Sequence, residues 1–447
     1  MAGTRICFIG GGSYNWMPKL LGDLALTPDL EGTVVLQDIN PTALENIERY
    51  GRKVMASAGS NFTIETTTDL DRGLDGAEFV VVTITAGGLD TMGLDLSIPE
   101  KYGIYQSVGD TVGPGGLSRA LRNVPVMVGL AQAMERRCPN AWMLNLTNPM
   151  TVLTRVVGLT SRIKVVGLCH ELFGVRGALI RMFGGSVEDF EWRVAGVNHL
   201  IWLLDMTIRG EDGLRMVRDF VRSGQPFPLP PGRGEWHEPF VDRWKLKLEL
   251  FDVYGALPAA GDRHLAEFFP YVLTEASHRG ADYGVQLTTI GHRQQQVATA
   301  RASVLDAIET DLPPLERSPE ATADIVSAVA NGRSVRTIVN LPNTGQIDNL
   351  PRGAVVETLA EITSAGAHPL TVGALPAGVL GTLQSHVTNQ ELIAQAALEG
   401  DRRLALQALV NDPLVGNLET ARHLLDDLLT AHADYLPQFR NKVAVAA

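Results

Sequence analysis

The stretch Arg5-Ile-Cys-Phe-Ile-Gly10-Gly11-Gly12-Ser13 decides the fold. An apolar run that stops at three glycines reads as a β-strand entering a tight turn, with a helix expected over residues 14–26. Glycine lets the backbone turn sharply and approach a pyrophosphate, and the helix start offers free N–H groups and the positive end of its dipole. A second run, Gly32-Thr-Val-Val-Leu-Gln-Asp38, ends in an acid about where adenosine ribose hydroxyls need an acceptor. An acid there rather than an arginine selects NAD over NADP. The turn departs from the usual fingerprint at Asn15, where a third glycine would stand. This region supplies the expected cofactor contacts Gly10, Gly12, Ser13, Tyr14, Asn15 and Asp38.

Outward from this turn, strands are predicted at residues 5–10, 33–38, 78–84, 141–146 and 163–168, with helices at 14–26, 41–57 and 115–137. Such alternation is the signature of a doubly wound parallel sheet. Ligands of these sheets sit beyond the carboxyl ends of the strands. The loops at residues 10–13, 85–88, 145–149 and 169–171 should therefore face the cofactor, which adds Thr85, Gly87 and Asn145 to its expected contacts. Past residue 195 the pattern becomes mixed and more helical. The expected fold class is α/β, with a Rossmann-like doubly wound parallel sheet over residues 1–195 and a mixed α+β domain over 196–447. Residues 223–233, rich in proline and glycine, read as a surface loop. Residues 389–433 read as antiparallel helices packing on the domain or on a neighbouring subunit, and a homodimer or homotetramer is expected.

At 447 residues, 45% hydrophobic and 20% charged, the chain has the composition of a globular protein of two sizeable domains. Lys and Arg number 38 against 50 Asp and Glu, a net charge of −12, which argues against nucleic acid or an anionic membrane as partner. No apolar stretch is long enough to span a bilayer, and no leader is recognised before the first strand. Cys7, Cys138 and Cys169 are too few and too scattered for a disulfide framework, so a cytoplasmic location is expected.

Three clusters bear on chemistry. Cys169 follows the run Lys164-Val-Val-Gly-Leu168, and His199 closes Ala195-Gly-Val-Asn-His199, so both fall at expected strand ends. A thiolate and an imidazole make half a site for a borderline divalent metal; a buried structural role for each is the alternative. In Gly261-Asp262-Arg263-His264, Asp262 reads either as a helix N-cap or as a general base. Gly109-Asp110-Thr-Val-Gly-Pro-Gly-Gly116 and Asn145-Leu-Thr-Asn148-Pro149 put backbone amides, side-chain amides and hydroxyls where cofactor or sugar hydroxyls could be bound.

Together with Cys169-His-Glu171, Gly196-Val-Asn-His199 and Asn340-Leu-Pro-Asn-Thr-Gly345, these motifs run in order from end to end of the chain and resemble glycoside hydrolase family 4. That family departs from hydrolysis by two carboxylates. The resemblance implies bound NAD and a divalent metal, with Mn²⁺ the expected ion. Hydride leaves the sugar C3, a base takes the acidified C2 proton, the aglycone leaves C1, water adds, and the hydride returns. Carried over by motif, Cys169 and His199 become metal ligands, Asp262 the base and His170 a residue near the leaving group that could act as acid. Asn148, Asp110, Glu171, Asn198, Arg263, His264, Arg279 and Tyr283 become substrate contacts.

Members acting on 6-phosphosugars typically carry Arg-Val-Gly-Gly after the third strand, where this chain has Thr85-Ala-Gly-Gly88, so a 6-phosphoglycoside is disfavoured. Cys-His-Glu resembles members that cleave uronic acid glycosides, and related enzymes accept sulfoquinovosides. An α-glycoside with an anionic C6 group is the leading expectation, and Arg263, His264, Arg279 and Arg293 are the cations available to such an anion. Two alternatives stay open: an α-galactosidase or α-glucosidase on neutral sugars by the same route, and a simple NAD-dependent sugar dehydrogenase.

Overall fold

The computed structural model describes residues 3–229 and 239–440. Six strands form the parallel part of one sheet: β1 (Thr4–Ile9), β2 (Gly32–Gln37), β3 (Phe62–Thr67), β4 (Phe79–Val82), β5 (Trp142–Asn145) and β6 (Lys164–Gly167). Their order, β3-β2-β1-β4-β5-β6, is that of a doubly wound nucleotide-binding sheet, with its switch point between β1 and β4. Strand β1 shows why the run is apolar on both faces. Ile6 and Phe8 enter one core with helices Met17–Ala25 and Pro41–Ala58, while Cys7 and Ile9 enter the other with helix Gly113–Arg137. Helix Pro41–Ala58 follows its sequence signals closely: Asn40 caps it by accepting from the Ala43 amide, Pro41 opens it, and Gly59 closes it in the left-handed region. The sequence reading lacks β3, which buries only Phe62 and Ile64 between exposed Thr63 and Glu65 and so carries a short apolar signal.

The sheet does not stop at residue 195. It continues through β11 (Val335–Pro342), β12 (Val355–Thr363), β7 (Phe190–Val197), β8 (Leu200–Ile208) and β10 (Leu257–Pro258), each antiparallel to the one before. β13 (Gly366–Pro369) pairs with β12 and β9 (Glu211–Asp212) with β8, giving 13 strands among the described residues. The fold is therefore α/β, a doubly wound parallel half continued by a mixed, largely antiparallel one. Helix Gly213–Ser223 ends where the proline-rich loop is expected; residues 230–233 of that loop lie outside the described residues.

Near the C-terminus, helices Ala377–Glu399, Arg402–Asn411 and Leu418–Ala431 pack back on the parallel half, with Ile393, Leu409, Leu424 and Leu428 in the same core as Leu117 and Leu121. A buried ion pair fixes this packing. Both oxygens of Asp95 take guanidinium hydrogens of Arg122 at 2.7 and 2.6 Å, and His432 Nε2 lies 3.1 Å from Asp95 Oδ1. Removing one partner of a fully buried pair strands the other charge. Arg122→Ala is expected to lower the unfolding free energy by about 3–5 kcal/mol in denaturant titration; a loss below about 1 kcal/mol would mean that the pair does not fix the helix packing.

Candidate active site

The glycine turn is shaped by contact on all sides. Gly10 and Gly11 donate to the Gln37 carbonyl of β2 at 3.0 and 2.8 Å. Gly10 has φ +90°, and a Cβ there would lie 2.5 Å from the Thr83 carbonyl oxygen. Asp38 accepts from the Gly12 amide at 2.9 Å through one oxygen and from the Asn40 amide at 2.9 Å through the other. A cleft of about 410 Å³ runs from Ser13, Asn15 and Trp16, past Thr85, to Asp110, Arg119, Asn148 and Arg293. The tight turn, the acid behind it and the adjoining cleft are what a dinucleotide requires, so the chain fits NAD. The other expected contacts serve the shape of this region. Tyr14 accepts from Asn46 at 3.0 Å on the neighbouring helix, Thr85 accepts from Arg119 at 2.8 Å, and Gly87 (φ 83°) precedes helix Gly88–Glu100. Asn145 is buried, with its side chain bonded to the Thr147 amide and carbonyl at 2.9 and 3.2 Å.

The glycine-rich run before helix Gly113–Arg137 lets a loop lie directly on that helix. A Cβ at Gly116 would come within 2.5 Å of the Thr111 carbonyl carbon. Asp110 and Thr111 are thereby presented to His199, which occupies the two-residue tip between β7 and β8 with φ 67°, a conformation an L-residue rarely adopts. The Thr111 hydroxyl donates to Asp110 Oδ1 at 2.7 Å and faces His199 Nδ1 at 2.7 Å. That hydroxyl has one hydrogen, so it accepts from Nδ1–H and leaves Nε2 with a free lone pair. Burial and the neighbouring His264 push the His199 pKa down to about 3, which keeps the ring neutral. His264 stacks on His199 with ring centroids 3.7 Å apart, and ligand atoms of Asp110, His199 and His264 lie within 4.8 Å of one another. A carboxylate with neutral imidazoles suits a divalent ion.

Sequence reasoning pairs His199 with Cys169, whereas the group of three formed among the described residues draws its other members from the expected substrate contacts Asp110 and His264. Cys169 is half-buried just beyond β6; burial, together with Glu357 and Glu171, raises its pKa well above that of a free thiol, as expected of a sulfur with no cation beside it. Two buried polar atoms facing this region have no partner among the described residues, Asn148 Oδ1 and His264 Nδ1, and the Asn198 amide lies beside Glu357. A bound ion and a polyhydroxy ligand would satisfy them.

A second cavity, of about 290 Å³, is lined by His170, Glu171, Asp262, Arg263, His264 and Phe240 among others. Glu171 accepts from the Gly261 amide at 2.6 Å, and His170 Nδ1 lies 2.9 Å from Glu320. Asp262 is 2% exposed and accepts from the amides of Leu246 and Lys247 at 3.2 and 3.0 Å, at the start of helix Lys245–Tyr254. Burial and nearby Asp242 raise its pKa to about 7 against the pull of Lys247, whose Nζ is 3.7 Å away. The structure does not bring Arg279 and Tyr283 to either cavity: Arg279 is exposed, bonded to Glu275 at 2.9 Å and resting on Tyr105, and Tyr283 packs beside a separate core.

Sequence reasoning misses Lys247, Glu267, Glu320, Glu357 and Phe240. Glu267 accepts from the Val108 and Gly109 amides at 2.7 and 2.8 Å and so pins the glycine-rich loop. Glu357 interrupts the apolar strand Val355-Val-Glu-Thr-Leu, a charge on a buried strand that could have signalled a role.

The sequence profile of family 4 glycosyl hydrolases matches residues 5–184, and that of their C-terminal domain matches residues 194–415. The chain belongs to glycosyl hydrolase family 4. It is 38% identical over 436 residues to an α-galacturonidase of Bacillus subtilis, covering 95% of this chain and 96% of that one. A candidate glucosidase structure from Bacillus subtilis is 37% identical and superposes with a TM-score of 0.88 over 96% of this chain and 100% of the other. The same fold recurs in the 6-phospho-β-glucosidase of Thermotoga maritima, determined with manganese, NAD⁺ and glucose-6-phosphate (24% identity, TM-score 0.79, 97% of this chain and 99% of that one). Family membership makes the chain a glycosidase, and the group around His199 reaches the cofactor cleft through Asp110 and the second cavity through His264.

Partners that orient a metal ligand typically govern its affinity by 10–100-fold. Thr111→Val removes both the acceptor for His199 Nδ1–H and the donor to Asp110. Its Mn²⁺ affinity, measured by titration calorimetry, is expected to fall about 10–100-fold; an unchanged affinity would mean that Thr111 does not orient a metal ligand.

Proposed function

We propose that the protein hydrolyses α-galacturonides, using NAD as a returned hydride carrier together with a divalent ion, manganese in the first instance. The observation that carries the reading is the position of the Asp110–His199–His264 group between the two cavities: Asp110 lines the cleft that starts at the glycine turn, and His264 lines the cavity that holds Asp262. A sugar ring at that group would meet the cofactor from one side and the acid–base residues from the other. Identity to an α-galacturonidase over nearly the whole chain supports the uronide, and the ligands of the Thermotoga maritima enzyme support NAD and manganese.

When bound, NAD removes and returns a hydride at the sugar C3 while the divalent ion polarises the oxygen on that carbon, which acidifies the C2 proton. His199, with Asp110 and His264 gathered around it and Cys169 as the further ligand implied by the family motif, is proposed to hold the ion. Asp262 is the proposed base at C2: its pKa near 7 makes it a stronger base than an ordinary carboxylate, and two backbone amides and Lys247 fix its orientation. His170, beside Glu320, is the proposed donor of a proton to the aglycone oxygen as its bond to C1 breaks. Water then adds at C1, and Asp262 returns the proton to C2. Asn148, with its unpartnered amide oxygen, and Asn198, beside Glu357, are proposed to bind sugar hydroxyls. The unpaired cysteines Cys7, Cys138 and Cys169 fit work in a reducing compartment, and among the described residues no helix is long and apolar enough to cross a membrane.

The test is aglycone release from 4-nitrophenyl α-galacturonide with and without NAD⁺ and Mn²⁺, with NADH absorbance followed in parallel. The proposal expects release that needs both additions and no build-up of NADH. NADH formed in proportion to sugar, without release, would make the protein a dehydrogenase. A base acts in its ionised form, so kcat/KM is expected to rise with pH through about 7. Asp262→Asn should lower kcat at least 100-fold at every pH; a variant of near-normal rate would remove Asp262 from the reaction.

A further inference from the structure

Two arginines meet at the seam between the cavities, and among the described residues neither forms an ion pair. Arg263 lines the Asp262 cavity and Arg293 lines the cofactor cleft. Both guanidinium groups rest on the ring of Phe240, with Cζ 4.8 Å and 5.2 Å from its centroid. Arg263 donates through one terminal nitrogen to the Ser107 carbonyl at 2.9 Å and to the Thr288 hydroxyl. Among the described residues the Arg293 guanidinium bonds only to Gln296 of its own helix, at 3.2 Å. The Nε of each is buried and has no acceptor among the described residues.

Asp110 and Glu267 act on both arginines through space, and Glu171 on Arg263, but among the described residues none of these acids forms an ion pair with either. Asp110 directs its oxygens to Thr111 and Asn148, at 2.7 and 3.4 Å. Glu267 is bound to the Val108 and Gly109 amides, and burial raises its pKa to about 8, so at neutral pH it carries little charge. Burial, with each arginine acting on the other in the case of Arg263, lowers the pKa of both; that of Arg263 falls to about 10. Two cations held side by side with donors unsatisfied are costly unless an anion completes them. Phe240 serves as a flat support that leaves the Nε–Nη2 edge of Arg293 free, the part that matches a carboxylate in two parallel hydrogen bonds. Arg263, whose Nη2 is engaged by Ser107 and Thr288, offers its Nε and Nη1.

We propose that Arg263 and Arg293, braced by Phe240, form the subsite for the anionic group on C6 of the sugar and so set the preference for an acidic glycoside over a neutral one. The inference rests on the uronide reading above and narrows it to two side chains. It also separates them from Arg279, whose charge is matched by Glu275 on the surface. A carboxylate and a sulfonate share the required chemistry, so the test includes both.

Calorimetric titration of D-galacturonate, D-galactose and 6-deoxy-6-sulfoglucose into the NAD- and Mn²⁺-loaded protein measures the preference without relying on turnover. Wild type should bind galacturonate at least 30-fold more tightly than galactose. Arg293→Gln, whose side chain makes no bond outside its helix, should reduce that ratio about 30-fold or more. Arg263→Lys keeps the charge but loses the planar fork, and should reduce the ratio by a smaller factor. The ratio is internal to each variant, so a general loss of binding does not imitate the effect. A ratio unchanged in Arg293→Gln, or a wild type with no preference for either acid, would overturn the inference. If the ratio is unchanged while the uronide is still hydrolysed, the inference fails and the function stands. Arginine-dependent binding without hydrolysis would instead keep the subsite and overturn the function. Tighter binding of the sulfonate than of galacturonate would keep the subsite and change its occupant.

Discussion

Asn340 of β11 lies opposite Gly167 of β6, and at this junction the parallel half of the sheet becomes antiparallel. The strands approach so closely that a Cβ on Gly167 would sit 2.9 Å from the Asn340 Cβ and 2.8 Å from Thr154 Oγ1. Asn340 donates at 2.9 Å to Glu357 of the next strand, and Glu357 lies opposite Gly196 of β7. Three steps across the sheet thus fix the end of β6, which carries Cys169, relative to the β7–β8 tip, which carries His199. A larger side chain at Gly167 would force the halves apart and separate the residues that the reaction needs together. The site is precise because it is built on strand ends and tight turns, which pin their side chains better than long loops do.

The same region concentrates buried polar and ionisable groups well beyond what stability would favour. Glu267, Glu357, Asp262, Lys247 and Asn198 are all nearly inaccessible to solvent. Burial raises the pKa of Glu357 to about 7 and that of Glu267 to about 8, so these acids stay partly or wholly protonated and serve as hydrogen-bonding props. Asp262 has a similarly raised pKa but faces a cavity, where a proton can be exchanged with a ligand. His199 in a left-handed conformation adds backbone strain at the same point. Strain and unsatisfied polar atoms gathered in one place are the usual cost of preorganising a site for its ligands.

Much of this is legible in the sequence. The glycine turn, Asp38 and the apolar runs give five of the six parallel strands and three of the helices between them, because both faces of a parallel sheet are buried and the signal is continuous. The motif residues at strand ends are found for the same reason. What escapes is what depends on pairing between distant segments. No local pattern says that β11 and β12 extend the first sheet, that Asp110 and His264 gather around His199, or that Lys247 stands beside Asp262. Tyr283 and Arg279 mislead because a basic and aromatic loop near a motif looks the same whether it turns inward or outward. Asn145 misleads for a related reason: an amide at a strand end serves a turn as readily as a ligand.

The central claim is that a proton leaves C2 of the sugar during hydrolysis, which only an elimination through an oxidised C3 requires. The most direct test is hydrolysis of an α-galacturonide in D₂O with NAD⁺ and Mn²⁺, followed by NMR of the galacturonate released. Deuterium at C2 of the product is the predicted result. Product carrying only hydrogen at C2 would mean direct displacement at C1, and would contradict the mechanism assigned to Asp262 and to the group around His199.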